Sequence, residues 1–365
     1  MKRSDASVRV ARGWDEGFPP GPTLVLGALA RGYQGFLGAR EWLYERGVLH
    51  SQALACPVVA IGNLTVGGTG KTPAVELAVR TLAEAGHRPA VVSRGYRRQS
   101  RGVQVVADTA SIRLDPEDAG DEPFLLARRL PGVPVIVGAN RYQAARLAVA
   151  RFAVTVVVLD DGFQHRTLRK NLEIVMTRAR RPWGNGRVLP GGPLREPLSA
   201  LARADLIVAA GAARDSDLDE VRATALRHAP GVPVIGARYA PVECWQADHM
   251  REQSLPSLSG TRLLAFAGIA APEAFQATLA DLGVGVVEMI PFADHHWYAQ
   301  DDLRSLDERA VTQGAQGLVT TEKDWVRLRR LQLPRRPLYV VSVRLELVTG
   351  ADEWRKAFER ACPRW

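Results

Sequence analysis

The feature that most constrains the fold is a glycine-rich run, VVAIGNLTVGGTGKTP at residues 58–73, between an apolar segment and an amphipathic one. Phosphate-binding loops have the pattern Gly-x-x-x-x-Gly-Lys-[Ser/Thr], in which backbone N–H groups at a helix N-terminus surround the phosphates. Gly70, Lys71 and Thr72 supply the end of this pattern, but Thr65 stands where the first glycine is expected. The run predicts a strand, a phosphate loop and a helix, in that order.

Each part of this loop has a predicted role. The glycines let the backbone approach phosphate oxygens closely, Lys71 reaches the β- and γ-phosphates, and the Thr72 hydroxyl binds Mg²⁺. A glycine-rich strand-to-helix turn that binds nothing is the alternative interpretation. The predicted ATP-binding residues are Thr65, Gly67, Gly68, Thr69, Gly70, Lys71 and Thr72.

A second feature, a pair of acidic residues, supports the nucleotide site. The segment VTVVVLDDG is an apolar strand that ends in Asp160 and Asp161. A carboxylate in this position of a nucleotide-binding protein holds Mg²⁺ directly or through water. An apolar strand followed by a solvated turn is a common arrangement without function, so the prediction rests on the two features together. We predict Thr72, Asp160 and Asp161 as metal ligands.

The rest of the chain alternates apolar runs with amphipathic stretches, which is typical of an α/β protein with a mostly parallel sheet. Its 365 residues are enough for two domains with separate cores. We predict an N-terminal helical region at residues 1–50 and a P-loop domain at residues 51–215. A smaller C-terminal α/β domain then covers residues 216–365.

Charge and cysteine content narrow the class of partner. The net charge of +9 favours polyanions: nucleic acid, phosphorylated substrates or an anionic membrane surface. No nucleic-acid-reading motif is recognisable, so we predict no nucleic acid partner. The three cysteines lie far apart without metal-binding spacing, which favours a reducing cytoplasmic location. We also expect no signal peptide, no transmembrane helix and no obligate protein partner.

Residues 22–50 predict an amphipathic helix with two possible uses. Arg31, Arg40 and Arg46 suit anionic headgroups, and Trp42 suits the membrane interface. Packing of the same helix against the protein's own core is the alternative. The predicted apolar face consists of Leu26, Leu29, Tyr33, Phe36, Leu37, Leu43 and Tyr44.

Two further motifs hold residues suited to acid–base chemistry. AGDEP places Asp121 and Glu122 at the start of a helix, where acidic residues also occur for purely electrostatic reasons. FADHHWY places His295 and His296 next to Asp294 in the second half of the chain. Adjacent histidines point in different directions, so we predict no zinc site. A His–Asp pair formed across the two domains would instead orient a base.

The ordered set of motifs resembles the tetraacyldisaccharide 4′-kinase family, the lipid A 4′-kinases of Gram-negative bacteria. The resemblance covers residues 22–330 and is carried by GNLTVGGTGKTP, SRGYRR, GDEPFLLAR, VVVLDDGFQHRTLRKNLEIV, GNGRVLPGGPLREP, AFAGIAAPEAF, FADHHWY and TEKDWVRL. It implies two α/β/α sandwich domains with the active site between them. It also implies transfer of the ATP γ-phosphate to the 4′-hydroxyl of lipid A disaccharide 1-phosphate, giving lipid IVA. The family resemblance places the protein peripherally on the cytoplasmic face of the inner membrane.

The same resemblance implies roles for individual residues. Lys71 and Thr72 match the family's phosphate-loop residues, and Asp121 matches its proposed catalytic base. His295 matches the histidine that works with this base. The AGIAAPEAF stretch departs from the usual Gly-Asn-Pro form at residues 270–271, which affects only the expected loop conformation. Further matches to active-site motifs, with less defined substrate roles, are Arg141, Gln164, His165, Arg195 and Glu196.

Two other functions fit parts of the sequence. A switch-type P-loop ATPase also has a GG-x-GKT loop, but its signature lysine is replaced here by Val66. A membrane adaptor without catalytic activity would have no need of Lys71. Phosphate release from ATP without a sugar acceptor would favour the first of these alternatives.

Overall fold

The computed structural model describes residue 14 and residues 20–247, 251–253 and 258–363. The first part of the chain forms a long helix and then alternating strands and helices. Its elements are α1 (Pro20–Glu45), β1 (Val58–Asn63), α2 (Lys71–Glu84), β2 (Pro89–Ser93), β3 (Gln104–Ala107), α3 (Pro116–Ala119), α4 (Asp121–Arg129), β4 (Val135–Val137), α5 (Arg141–Phe152), β5 (Val156–Asp160), β6 (Leu172–Arg178) and β7 (Leu206–Ala210).

Short 3₁₀ helices at Leu198–Arg203 and Asp215–Leu218 flank β7. The second part of the chain continues the α/β alternation. Its elements are α6 (Asp219–His228), β8 (Val234–Gln246), β9 (Arg251–Gln253), β10 (Arg262–Ala267), α7 (Pro272–Asp281), β11 (Gly285–Pro291), α8 (Gln300–Thr312), β12 (Gly317–Thr321), α9 (Glu322–Leu328), β13 (Leu338–Leu347) and α10 (Ala351–Ala361).

The described strands form one sheet with the order β11-β10-β12-β13-β8-β7-β6-β1-β5-β2-β4-β3, and β9 pairs with β8. Most neighbours are parallel, as predicted; the antiparallel pairs are β13–β8, β3–β4 and β8–β9. The long strand β8 joins the two halves, because its first residues pair with β7 and most of its length pairs with β13. The sheet is therefore continuous across residue 216, and the domain boundaries stay a prediction.

The parallel strands position the site. β1, β5 and β7 are buried along their whole length, which is typical of parallel strands covered by helices on both faces. The neighbouring strands β1, β5 and β2 end in Asn63, Asp160 and Ser93, respectively. Parallel strands bring their carboxyl ends to the same edge of a sheet, and ligands bind at such edges. The fold thus brings together residues that lie far apart in the sequence.

Helix α1 confirms the predicted helix but divides its predicted apolar face. Leu37 packs against the protein and is only 7% exposed, whereas Leu29 and Phe36 are 56% and 63% exposed. The predicted face spans more of the helix surface than one contact can cover, so only part of it packs inward. Arg40, which we expected at lipid headgroups, instead forms an ion pair with the buried Glu196. Within the described part of the chain, no helix combines the length and apolarity needed to cross a membrane.

Candidate active site

The phosphate loop has the strand–loop–helix geometry that the sequence predicts. Gly70 caps α2 in the left-handed region at φ 82°, and Lys71 is the first helical residue. A Cβ atom at Gly70 would lie 2.6 Å from the Tyr239 hydroxyl, so the close approach also requires glycine. Thr72 follows in the first turn and is half-buried. The helix N-terminus therefore faces the space at the edge of the sheet.

Thr65 is part of an internal brace of the loop. It is 2% exposed, and its backbone forms a bridge with Leu194 of the GGPLREP segment. The Asn63 side chain donates hydrogen bonds to the Thr65 carbonyl, at 2.6 Å, and to the Thr69 hydroxyl, at 2.9 Å. The residue in the first slot thus points into the protein. Asn63 was not among the predicted site residues, although it lies within the quoted motif.

The cationic and acidic residues of the two nucleotide motifs meet as expected. Lys71 Nζ lies 3.6 Å from Asp161 Oδ1. Arg195 Nη1 donates to both carboxylate oxygens of Asp161 at 2.9 Å. Burial would raise the pKa of Asp161, but the positive charges of Lys71 and Arg195 outweigh it and lower that pKa. Asp161 is thus an ionised carboxylate between two cations.

Asp160 has a different environment from its neighbour. It is 2% exposed, and its Oδ2 atom accepts a 2.8 Å hydrogen bond from the Ser93 hydroxyl. Its Oδ1 atom is buried without a hydrogen-bond partner among the described residues. Burial, followed by the negative charges of Glu122 and Asp161, raises the pKa of Asp160 to about 7. A buried carboxylate oxygen without a donor is a chemically suitable ligand for a cation.

Asp121 and His295 form the predicted pair across the two halves of the chain. Asp121 is the first residue of α4, is 6% exposed, and its Oδ2 atom lies 2.8 Å from His295 Nδ1. Burial would raise the pKa of Asp121. The hydrogen bond with His295 and the positive charges of Lys323 and Arg327 outweigh burial and hold that pKa well below its usual range. His295 itself has a left-handed backbone at φ 61°.

Helix α9 contributes residues that the sequence analysis missed. Arg327 Nε lies 3.1 Å from Asp121 Oδ2, and Lys323 Nζ lies 3.0 Å from Glu122 Oε1. Both residues belong to the TEKDWVRL motif, which was quoted for the resemblance without a role for any of its residues. Spacing gave no signal, because Arg327 and Asp121 are about two hundred residues apart; only the packing of α9 against α4 brings them together.

The other predicted substrate residues lie in two places. Gln164 donates to the Asn63 carbonyl at 2.9 Å, and Arg141 Nη1 donates to the Ala139 carbonyl at 3.0 Å. Burial, followed by the positive charge of Arg141, lowers the pKa of His165 to about 4. Glu196 is directed away from this group and pairs with Arg40 and Arg203. It links the LREP motif to α1.

A loop from the second half lies over the phosphate loop. A Cβ atom at Gly68 would lie 3.0 Å from the Ala270 side chain. Ala270 belongs to the stretch that differs from the family's usual Gly-Asn-Pro form, and it precedes α7. The small side chains at both positions permit this close approach. The two halves of the chain therefore contact each other directly at the nucleotide loop.

Comparisons with known proteins agree with this geometry. The family model described as tetraacyldisaccharide-1-P 4′-kinase matches residues 22–362. The chain belongs to this family. The tetraacyldisaccharide 4′-kinase of Syntrophus aciditrophicus is 38% identical over 355 residues, covering 93% of this chain and 94% of that protein. The corresponding protein of Anaeromyxobacter sp. strain Fw109-5 is 42% identical and covers 96% and 95%, respectively.

A solved structure supports the assignment to the tetraacyldisaccharide 4′-kinase family. The crystal structure of the "apo" form of LpxK from Aquifex aeolicus in complex with ATP has a TM-score of 0.72 and 29% identity. It covers 93% of this chain and 99% of that chain. The predicted family, the α/β fold class and the ATP-dependent kinase activity are confirmed. The switch-type ATPase is not favoured.

Proposed function

We propose that this kinase transfers the γ-phosphate of ATP to the 4′-hydroxyl of tetraacyldisaccharide 1-phosphate, which forms lipid IVA in lipid A biosynthesis. The observation that carries the proposal is the Asp121–His295 pair at 2.8 Å. One member comes from each half of the chain: Asp121 begins α4, and His295 follows β11. A nucleotide switch has no acceptor hydroxyl, so it has no need of a group at this position that accepts the proton of such a hydroxyl.

Lys71 and the loop backbone would hold the ATP phosphates. Asp161, which the sequence predicts as a metal ligand, already pairs with Lys71 and Arg195, and we propose instead that it orients these two cations. Asp160 has a free carboxylate oxygen and, with the Thr72 hydroxyl, would hold Mg²⁺. The ion, when bound, neutralises charge on the β- and γ-phosphates. Among the described residues, no group of three or more His, Cys, Asp or Glu side chains could hold a metal ion by itself.

Asp121 would accept the proton of the attacking hydroxyl. Its depressed pKa keeps it ionised at neutral pH, which is the state a base requires. A low pKa makes a carboxylate a weak base, but phosphoryl transfer has a loose transition state in which positioning outweighs proton abstraction. His295 and the α9 cations then fix the carboxylate toward the acceptor. Arg141, Gln164 and His165 would contact substrate groups beside the acidic pair, and Arg195 would act through Asp161.

The Asp160 environment predicts an unusual pH dependence of stability. Asp160 titrates near 7 when folded and near ~3.9 when unfolded. The folded state binds more protons in this window, so the stability of the ligand-free protein falls as pH rises from ~4 to ~7. Asp160→Asn removes this loss. At pH 8 we expect this variant to have a free energy of unfolding higher than that of wild type by roughly 1–3 kcal/mol, measured by urea denaturation. It should also lose kinase activity.

Asp161→Asn is the matched control, since the pKa of Asp161 is shifted in the opposite direction. Its carboxylate contributes stability that is present above ~3.9 and lost as pH falls through the lower folded value. This variant should therefore be less stable than wild type at pH 8. If both variants shift the urea midpoint in the same direction, the assignment of opposite environments is wrong.

We further propose that α1 rests on the anionic cytoplasmic surface of the bacterial inner membrane. Its outward stripe of Val25, Leu29 and Phe36 is 56–63% exposed, and Arg31 and Arg46 are exposed nearby. The inward face holds the helix in place, because the Tyr33 hydroxyl donates to the Arg195 carbonyl at 3.1 Å. An anchored helix with apolar and cationic groups outward is suited to peripheral binding.

Serine substitution of the stripe tests this proposal. The Val25→Ser/Leu29→Ser/Phe36→Ser variant should bind vesicles of phosphatidylglycerol and phosphatidylcholine about 100-fold more weakly, at roughly 1 kcal/mol for each partly buried side chain. ATP affinity should be unchanged. Leu226→Ser/Val311→Ser is the control, because these residues are equally exposed, at 73% and 56%, but lie on α6 and α8. Equal vesicle binding by both variants would exclude α1 as the docking surface.

The proposed activity is tested with labelled ATP. The protein is incubated with γ-labelled ATP, Mg²⁺ and tetraacyldisaccharide 1-phosphate in detergent micelles, and the lipids are separated. The label should move to the lipid, and an acceptor that lacks the 4′-hydroxyl should remain unlabelled. Release of inorganic phosphate with an unlabelled lipid would instead support the ATPase alternative.

A further inference from the structure

Helix α9 forms ion pairs with both ends of helix α4. At the far end, Arg129 of α4 donates from Nε to Glu322 at 2.7 Å, and it also pairs with Glu76 of the phosphate-loop helix at 3.0 Å. At the near end, Lys323 pairs with Glu122 at 3.0 Å. The helix that starts with Asp121 is thus held by charged contacts from the second half of the chain. One further residue of α9 reaches the carboxylate of Asp121 itself.

Arg327 makes three contacts that converge on the Asp121–His295 pair. Its Nε atom lies 3.1 Å from Asp121 Oδ2, the same oxygen that faces His295 Nδ1. Its Nη1 atom donates to the carbonyls of Gly268 and His296, both at 3.1 Å. The His295 backbone N–H also donates to the Gly268 carbonyl, at 3.2 Å. One guanidinium therefore contacts the Asp121 carboxylate, the carbonyl of the residue after the histidine and the carbonyl that binds the histidine's N–H.

The local backbone explains why such a contact is needed. His295 has φ 61°, a conformation that residues other than glycine adopt only when the surroundings impose it. Of the two carbonyls that Arg327 contacts, that of His296 follows this strained residue in the chain, and that of Gly268 accepts the hydrogen bond from its backbone N–H. Asp324 completes the frame, since its Oδ1 atom accepts from the Gly268 N–H at 2.9 Å and lies 3.4 Å from Arg327 Nη1.

The cost of burying Arg327 argues against a purely structural role. Its side chain is fully buried, and its Nη2 atom and its Nε atom, whose contact with Asp121 is an ion pair, have no hydrogen-bond partner among the residues that the structure describes. A buried cation with an unsatisfied donor is destabilising, and an apolar side chain of similar size would pack there more favourably. Such costs are typical of functional sites.

We propose that Arg327 is a positioning residue that holds the Asp121 carboxylate and the His295 imidazole in register across the two halves of the chain. The inference rests on the proposed role of Asp121 as the proton acceptor. It extends that role to a residue of TEKDWVRL whose side chain is fully buried. The planar guanidinium group suits this role, because its several N–H donors allow one side chain to contact a carboxylate and two carbonyls at once.

Removal of Arg327 also changes the protonation of Asp121. The titratable and charged groups that face Asp121 are His295, Arg327 and Lys323, with Glu122 next to it. Loss of one cation raises the pKa of Asp121 toward its ordinary value. A base must be ionised, so the acid limb of the kcat profile should move to higher pH in the variant. A residue that only supports folding would lower the amount of active protein without moving this limb.

The experiment compares Arg327→Gln and Arg327→Lys with Arg330→Gln. Arg330 is the matched control, since it follows α9 and pairs with Asp115 and Glu117 on the surface. We expect Arg327→Gln to lower kcat about 100-fold with KM for ATP within about twofold, as for a lost positioning contact. Its acid limb should shift upward. Arg327→Lys should recover part of kcat, and Arg330→Gln should match wild type.

Thermal unfolding of each variant separates folding from positioning. If Arg327→Gln does not fold, the folded Arg327→Lys variant decides, and it should show reduced kcat with unchanged KM for ATP. Wild-type kcat and pH profile in a folded Arg327 variant, with Asp121→Ala inactive, would overturn this inference and leave the kinase proposal standing. Full turnover by Asp121→Ala would overturn the proposed base, and with it the positioning role.

Discussion

Lys71→Ala is expected to lower kcat/KM for ATP by about 10³-fold or more, the scale found when a major charge-stabilising group of a transfer site is lost. Lys71 begins α2, and its Nζ atom lies 3.6 Å from Asp161, which also receives Arg195. The ammonium group would reach the β- and γ-phosphates, where negative charge accumulates during transfer. Arg195 remains to neutralise Asp161 in the variant, so the fold should survive.

The Lys71 variant is assayed by steady-state kinetics and by titration calorimetry with ATP. ATP affinity should fall along with kcat, because the lysine contacts the nucleotide in both the ground state and the transition state. Lys356→Ala is the control, since Lys356 is an exposed lysine on α10. If Lys71→Ala binds and uses ATP as wild type does, the loop is not the nucleotide site.

Asp121→Ala is expected to lose turnover by a similar factor, about 10³-fold, but to bind ATP within about twofold of wild type. The carboxylate lies at the start of α4, and its hydrogen-bond and ion-pair partners are His295 and Arg327 rather than residues of the phosphate loop. Its loss removes the proton acceptor and leaves the nucleotide site intact. This separation of binding from turnover distinguishes it from Lys71→Ala.

The measurement is a single-turnover transfer of labelled phosphate to the lipid, with ATP affinity determined in parallel. Asp118→Ala is the control, since this exposed aspartate lies three residues earlier, on α3. Asp121→Asn should also be nearly inactive, because an amide keeps the shape but cannot accept the proton. Wild-type transfer by either Asp121 variant would exclude the base assignment.

The nucleotide half of the site could be predicted from the sequence because its signals are local. The loop residues from Thr65 to Thr72 lie in one strand–loop–helix unit, and an apolar strand marks Asp160 and Asp161 directly. The common edge of a parallel sheet then brings the two motifs together without any further information. The pairing of Asp121 with His295 was predicted from the family resemblance. In the structure, Asp121 Oδ2 and His295 Nδ1 lie 2.8 Å apart.

The parts that were missed depend on contacts between distant segments. Nothing in the sequence distinguishes Arg327 from the other arginines of this basic chain. Only the packing of α9 against α4 places it beside Asp121. The two adjacent aspartates look equivalent in the sequence but have opposite pKa shifts. Burial and the negative charge of Glu122 raise the pKa of Asp160, whereas the positive charges of Lys71 and Arg195 outweigh burial and lower the pKa of Asp161. Periodicity identified α1 but not which apolar residues face outward, since Glu196 and its arginine partners fix the rotation of the helix.

A double-mutant cycle on Asp121 and His295 tests most directly whether the two halves of the chain build one phosphoryl-transfer site. Single-turnover transfer to the lipid is measured for Asp121→Ala, His295→Ala and the double variant, with folding confirmed for each. Residues that act as a unit are strongly non-additive, so the double variant should be slower than Asp121→Ala by no more than about threefold. A double variant slowed by the full product of the two single effects would contradict the shared site.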